Sequence, residues 1–125
     1  MPRVLIIDDD KDLVEVTTYL LNKKGIEVAV SDNMDDALKT IESFNPELII
    51  LDVFLNGIDG LDICRKLKSN PRTGHLPVII FSSYPNMGET AIFEYDADDF
   101  ISKPFEVDDL IEKMHSVLSP RPGLA

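Results

Sequence analysis

A few side chains in this sequence are of types that can handle a divalent cation or a phosphoryl group. They are Asp8, Asp9 and Asp10 in an unbroken run, Asp52, the pair Ser82 and Ser83, and Lys103 directly ahead of Pro104. Carboxylates gathered in one place raise one another's pKa unless a cation joins them. Hard oxygen ligands of this kind suit Mg²⁺, which keeps several waters and takes only one or two protein carboxylates. A lysine opposite the metal supplies a second positive charge. Metal and ammonium together stabilise phosphoryl oxygens, a hydroxyl donates a further bond, and a carboxylate left between them can attack phosphorus.

That chemistry requires a fold that gathers distant residues, and the hydrophobic pattern supplies one. Apolar runs of strand length occur at 4–7, 26–30, 48–51 and 78–81, with a shorter one at 100–101. Several are continuous rather than alternating, as in strands covered on both faces. Helical spacing separates them. Leu13, Val16, Thr17, Leu20 and Leu21 share one face, and Lys23, Lys24 and Gly25 read as a basic last turn with a terminating glycine. Met34, Ala37, Leu38 and Ile41 follow a Ser31-Asp32-Asn33 start signal; Leu61, Cys64 and Leu67 mark a third helix; Val107, Leu110, Ile111, Met114 and Leu118 mark the last. Tyr84-Pro85-Asn86 and Gly88 interrupt the fourth, which is expected from about Met87 to Tyr95. The sum is (βα)₅, an α/β doubly wound sheet with helices on both faces. In such sheets ligands bind beyond the carboxyl ends of the strands. Asp8–Asp10, Asp52, Ser82–Ser83 and Lys103–Pro104 follow the first, third, fourth and fifth strands.

With 125 residues, 44% of them hydrophobic, the chain fits one domain with a real core. Its formal charge of −11 argues against direct binding to nucleic acid or an anionic membrane surface. No apolar run approaches the roughly 18–20 residues that span a bilayer, so no membrane insertion is expected. The single cysteine, Cys64, excludes an internal disulfide and suits a reducing, cytoplasmic setting. Residues 1–119 are expected to form the domain, and 120–125, with Pro120-Arg121-Pro122-Gly123, a tail or the start of a linker.

The ordered set Val4-Leu5-Ile6-Ile7-Asp8-Asp9-Asp10, Asp52 with Asp59-Gly60, Pro77 to Ser83, and Ala97-Asp98-Asp99-Phe100-Ile101-Ser102-Lys103-Pro104-Phe105 resembles the receiver domain of two-component response regulators, of the chemotaxis-regulator type. The resemblance covers about residues 3–118. It implies a flavodoxin-like five-stranded parallel sheet of order 2-1-3-4-5. It implies that Asp52 is the phosphoacceptor, that Asp9 and Asp52 ligate Mg²⁺ directly, that Asp8 acts largely through water, and that the backbone carbonyl of Phe54 completes the ligands. Lys103 would pair with the phosphoryl group, Ser82 would swing its hydroxyl toward a phosphoryl oxygen, Phe100 would stand at the switch-aromatic position, and the Lys103–Pro104 bond would be cis. The phosphodonor would be a histidine kinase or phosphotransfer protein. The reader would be a downstream protein or fused output domain, using the α4-β5-α5 face of the five-unit fold. Departures from the family pattern are Asn56 where proline is frequent, Asp96 where glycine is frequent, and Phe100 without a hydroxyl. Phe54 and Tyr84, two residues past Asp52 and Ser82, are expected to slow hydrolysis of the phosphorylated state.

Plainer readings apply to several residues. Asp10 is expected as a helix N-cap rather than a ligand, Asp59-Gly60 as a turn into the third helix, Asp98 and Asp99 as solvated turn acids, Cys64 as core, and His75 and His115 as surface. Phe100 is as well explained by packing as by switching. Two other functions fit parts of the pattern. Asp8-x-Asp10 after an apolar strand superficially matches a haloacid-dehalogenase-type phosphatase with Asp8 as nucleophile. A non-phosphorylated pseudo-receiver would use the fold only for interaction. The leading reading is a signalling switch, not an enzyme, with self-catalysed phosphorylation and dephosphorylation.

Overall fold

In the computed structural model, residues 2–55, 58–82, 87–103 and 105–118 are described. The elements run β1 (Arg3–Ile7), α1 (Lys11–Lys23), β2 (Glu27–Ser31), α2 (Met34–Phe44), β3 (Leu48–Asp52), the two-residue strands β4 (Phe54–Leu55) and β5 (Ile58–Asp59), α3 (Gly60–Ser69), β6 (Val78–Ser82), α4 (Met87–Tyr95), β7 (Asp99–Ser102) and α5 (Val107–Leu118). Five strands form one parallel sheet ordered β2-β1-β3-β6-β7, which is 2-1-3-4-5 when β6 and β7 count as fourth and fifth. The short β4 and β5 form an antiparallel pair between the third strand and third helix, a feature the apolar pattern did not announce.

The continuous apolar runs have their expected cause. Alternate strand residues serve opposite faces. Leu5, Ile7, Ile49, Leu51, Val78 and Ile80 pack with Ala37 of α2, Leu61, Cys64 and Leu67 of α3, and Ala91 of α4. Val4, Ile6, Leu48, Ile50, Ile79 and Phe81 pack with Val14 and Leu21 of α1 and Leu110 and Met114 of α5. Strands buried on both sides have no polar face to show.

Local signals set the helix limits. Asp10 caps α1, its carboxylate accepting the Leu13 N–H at 3.2 Å. Asn33 caps α2 by accepting the Asp36 N–H at 2.8 Å. Gly25, at φ 82°, takes the chain out of α1 in a conformation that costs glycine little. The first helix departs from its expected face. Val16 is 58% exposed, and the buried residues are Val14, Thr17 and Leu21. Both sets have helical spacing, and only packing against α5 and the sheet chooses between them. Helix α4 covers the expected span. Cys64 is buried, and His75 and His115 are exposed.

Candidate phosphoryl and metal site

Parallel pairing in register aligns the carboxyl ends of the strands. Ile7 pairs with Leu51, Asp52 with Phe81, and Ser82 with Ser102. Asp8, Asp52, Ser82 and Lys103 therefore emerge at one rim, although 95 residues of sequence separate the first from the last. Asp8 is held by its own surroundings. Its N–H donates to the Ser31 carbonyl at 3.0 Å, and its Oδ1 accepts the Asp10 N–H at 2.9 Å. Ser82 is buried at 1% exposure, and its carbonyl accepts the Lys103 N–H at 2.8 Å, which fixes the backbone from which the lysine reaches inward. Gly60 allows α3 to begin directly under the site. A Cβ there would collide with the Asp52 carbonyl oxygen and lie 2.7 Å from that of Val53. The glycine of Asp59-Gly60 thus serves close approach to the Asp52 backbone as well as entry into α3.

The Lys103 ammonium lies 3.3 Å from Asp8 Oδ2 and 3.2 Å from Asp52 Oδ1. The three side chains are nearly sealed, at 16%, 0% and 12% exposure for Lys103, Asp8 and Asp52 respectively. Asp9 stands beside them on the exposed side, and carboxylate oxygens of Asp8, Asp9 and Asp52 all lie within 4.8 Å of one another. Burial pushes the Asp52 carboxyl up from 3.8 to about 6, and the charges of Asp8 and, less, Asp9 add to the rise, against the opposing attraction of Lys103. One ammonium does not neutralise three carboxylates. The donor set, three hard oxygen ligands with one face toward solvent, fits a small divalent cation that retains waters.

Of the residues expected at the site, Asp8, Asp9, Asp52 and Lys103 come together in one cluster, and Ser82 adjoins it through the backbone. Asp10 belongs to the helix cap. Phe100 is half-buried and packs on the cluster formed with α2, α3 and α4. Phe54 is placed by its backbone in β4, but its side chain, like Tyr84, Pro85 and Pro104, lies outside the described residues. Two acids depart from the solvated reading. Asp98 accepts the Val78 N–H at 2.8 Å and pairs with Lys68 at 2.6 Å, and Asp99 pairs with Lys113 at 3.3 Å. Both are pins between elements. Phe81 was legible only as strand, yet its ring lies 4.5 Å from the Lys103 ammonium. A position two sites before Ser83 carries no local mark of that contact.

The chain is similar to known proteins both in sequence and in fold. The model of the response regulator receiver domain matches residues 4–115. The DNA-binding response regulator MtrA of Mycobacterium tuberculosis (strain ATCC 25618 / H37Rv) is 31% identical over 117 residues, covering 93% of this chain and 50% of its own length. The DNA-binding dual master transcriptional regulator RpaA of Synechocystis is 32% identical over 121 residues, with 94% and 49% covered. The chain thus spans about half the length of these curated relatives. A solved protein from Chloroflexus aurantiacus J-10-fl superposes with a TM-score of 0.86 at 32% identity over 95% of this chain and 98% of its own. The receiver domain of NtrX from Brucella abortus gives 0.82 at 33% identity over 92% and 97%. With the acidic cluster at the carboxyl rim of a 2-1-3-4-5 sheet, these matches place the chain in the family of two-component response regulator receiver domains.

Proposed function

We propose that Asp52 accepts a phosphoryl group in a Mg²⁺-dependent reaction and that the chain acts as the switch of a two-component relay. The observation that carries this reading is the buried ammonium of Lys103 between Asp8 and Asp52, with Asp9 alongside. Asp52 is the better nucleophile of the two buried acids. Both Asp8 oxygens are engaged, one by the Asp10 N–H and one by Lys103, and its side chain has no exposure. Asp52 retains a solvent-facing fraction. This geometry weighs against the phosphatase reading with Asp8 as nucleophile.

Asp9 and Asp52, with Asp8 behind them and the Phe54 carbonyl nearby in sequence, are the residues that would hold Mg²⁺. When bound, the ion would neutralise the acids and polarise the phosphoryl oxygens. The side chains do the rest. Asp52 Oδ attacks phosphorus in line as the bond to the donor breaks, and the leaving group departs with its electron pair. Lys103 donates to a phosphoryl oxygen, and the Ser82 hydroxyl donates to another. Phosphorylation adds about −1.5 to −2 charge at pH 7, which gives the Lys103 ammonium a new oxygen partner, draws the Ser82 hydroxyl inward and biases a two-state equilibrium of the domain. Phe100, packed beneath, would read that shift through contact alone.

Further proposals follow from family membership. The donor is a phosphohistidine on a histidine kinase or phosphotransfer protein. The reader is a downstream protein or a fused output domain, docked on the face made by α4, β7 and α5. Because the quoted relatives are named as DNA-binding regulators, an output domain joined through residues 120–125 fits better than a chemotaxis-type role. Residues 1–119 are the receiver in this reading, and the setting is cytoplasmic. No helix among the described residues is long and apolar enough to cross a membrane.

Incubation with Mg²⁺ and acetyl phosphate, followed by mapping of the acid-labile adduct, tests the proposal. An adduct on Asp52 that is absent from Asp52→Asn is expected. An adduct on Asp8 with turnover would support the phosphatase, and no adduct with any donor would support an interaction module.

A further inference from the structure

Lys103 places its ammonium against two of the three clustered acids, and its long side chain must hold one geometry against solvent. An ammonium has three donors. Two point at Asp8 and Asp52. The same nitrogen also lies over an aromatic face, 4.5 Å from the centroid of the Phe81 ring. Phe81 is 1% exposed and lies on the sheet face shared with α1 and α5. The Phe105 ring meets it edge to face, with centroids 5.9 Å apart and planes at 81°. Phe105 follows Lys103 by two residues and Phe81 directly precedes Ser82, so the ring under the ammonium and the ring that packs on it come from the ends of the fourth and fifth strands of the sheet.

We propose that Phe81 is a positioning residue: its ring seats the Lys103 ammonium, with Phe105 bracing the ring, so that the charge stays fixed while its oxygen partners change. The inference rests on the role assigned to Lys103 above. A quadrupole contact in a nearly dry site is stronger than one in water, and it uses no lone pair of Asp8, Asp52 or an incoming phosphoryl oxygen. Carboxylate bonds must loosen when a phosphoryl group arrives; the ring contact need not. A group that holds Lys103 in place for the transfer step should affect the maximal rate rather than donor affinity.

Packing alone would also bury a phenylalanine here, so the test varies the ring's charge distribution at nearly constant shape. 4-Fluoro-, 3,5-difluoro- and 3,4,5-trifluorophenylalanine are placed at position 81 in the full chain and in a Lys103→Met background, alongside Phe81→Leu. Phosphorylation by acetyl phosphate with Mg²⁺ is followed by intact mass. The expected result is a stepwise fall in maximal rate with each fluorine, reaching roughly ten-fold for Phe81→Leu, with KM within about two-fold. In Lys103→Met the fluorine series should be flat, because the cycle removes the partner. Independently, NMR of the metal-free protein should show the Lys103 ε-methylene protons shifted upfield by the ring current, and the shift should vanish in Phe81→Leu. A rate indifferent to fluorination, an equal fall in both backgrounds, or an unshifted Lys103 would overturn the seat. If Lys103→Met itself phosphorylates at the wild-type rate, the assignment of Lys103 fails and the seat falls with it.

Discussion

Replacing Asp52 by asparagine should make the protein more stable at neutral pH, and the site geometry sets the size of the gain. The folded chain raises this carboxyl from 3.8 to about 6, chiefly because it is buried and then because Asp8 stands beside it. At ~1.4 kcal/mol per tenfold change in proton affinity, holding it ionised in the fold costs about 3 kcal/mol above pH 6. Asparagine has the shape of the protonated acid and can still accept a bond from Lys103. The sign is that of a raised acid. Its folded value exceeds its unfolded value, so its contribution is most favourable below 3.8 and is lost as pH rises through 6. Urea unfolding followed by far-UV circular dichroism, needed because the chain has no tryptophan, gives both stabilities in chelator. The variant should lead by about 2–3 kcal/mol at pH 7.5, with equal m-values, and the lead should shrink toward zero by about pH 4. A lead below about 0.5 kcal/mol at pH 7.5, or one that does not change with pH, would refute the electrostatic account. Added Mg²⁺ should then stabilise the wild type more than the variant, through preferential binding to the folded state.

Other expectations follow from single features. Lys68→Met removes the partner of Asp98 at 2.6 Å and a bond to the Leu76 carbonyl at 2.9 Å; a loss of about 1–3 kcal/mol is expected in urea unfolding, with faster exchange of the Val78 amide. Asp96 ends α4 at φ 62°, in the left-handed region, so Asp96→Gly should raise stability by about 0.5–1 kcal/mol by the same measurement, and an unchanged or lower value would show that its side chain compensates. Cys64 is buried, donates to the Tyr95 carbonyl at 3.3 Å, and has its thiol pushed up to about 12 by burial; it should resist thiol reagents at pH 8 and react only in step with unfolding.

The fold was legible because its causes are local or periodic. Continuous apolar runs at 4–7, 48–51 and 78–81 mean strands covered on both faces, and Asp10 and Asn33 announce helix starts through bonds that reach three residues. The main acids were legible for a related reason, since a parallel sheet places whatever follows its strands at one rim. The limits lie where a contact joins residues with no fixed spacing. Val14 rather than Val16 faces inward because α5 packs there, and either set has helical period. Asp98 looks like any turn acid until α3 brings Lys68 against it. Residue types and order determined that Asp8, Asp9, Asp52 and Lys103 would share a rim. Tertiary packing alone decided that the lysine reaches between two buried carboxylates, that burial raises the proton affinity of one of them, and that an aromatic ring lies against the ammonium, because desolvation and side-chain reach exist only once the strands are side by side.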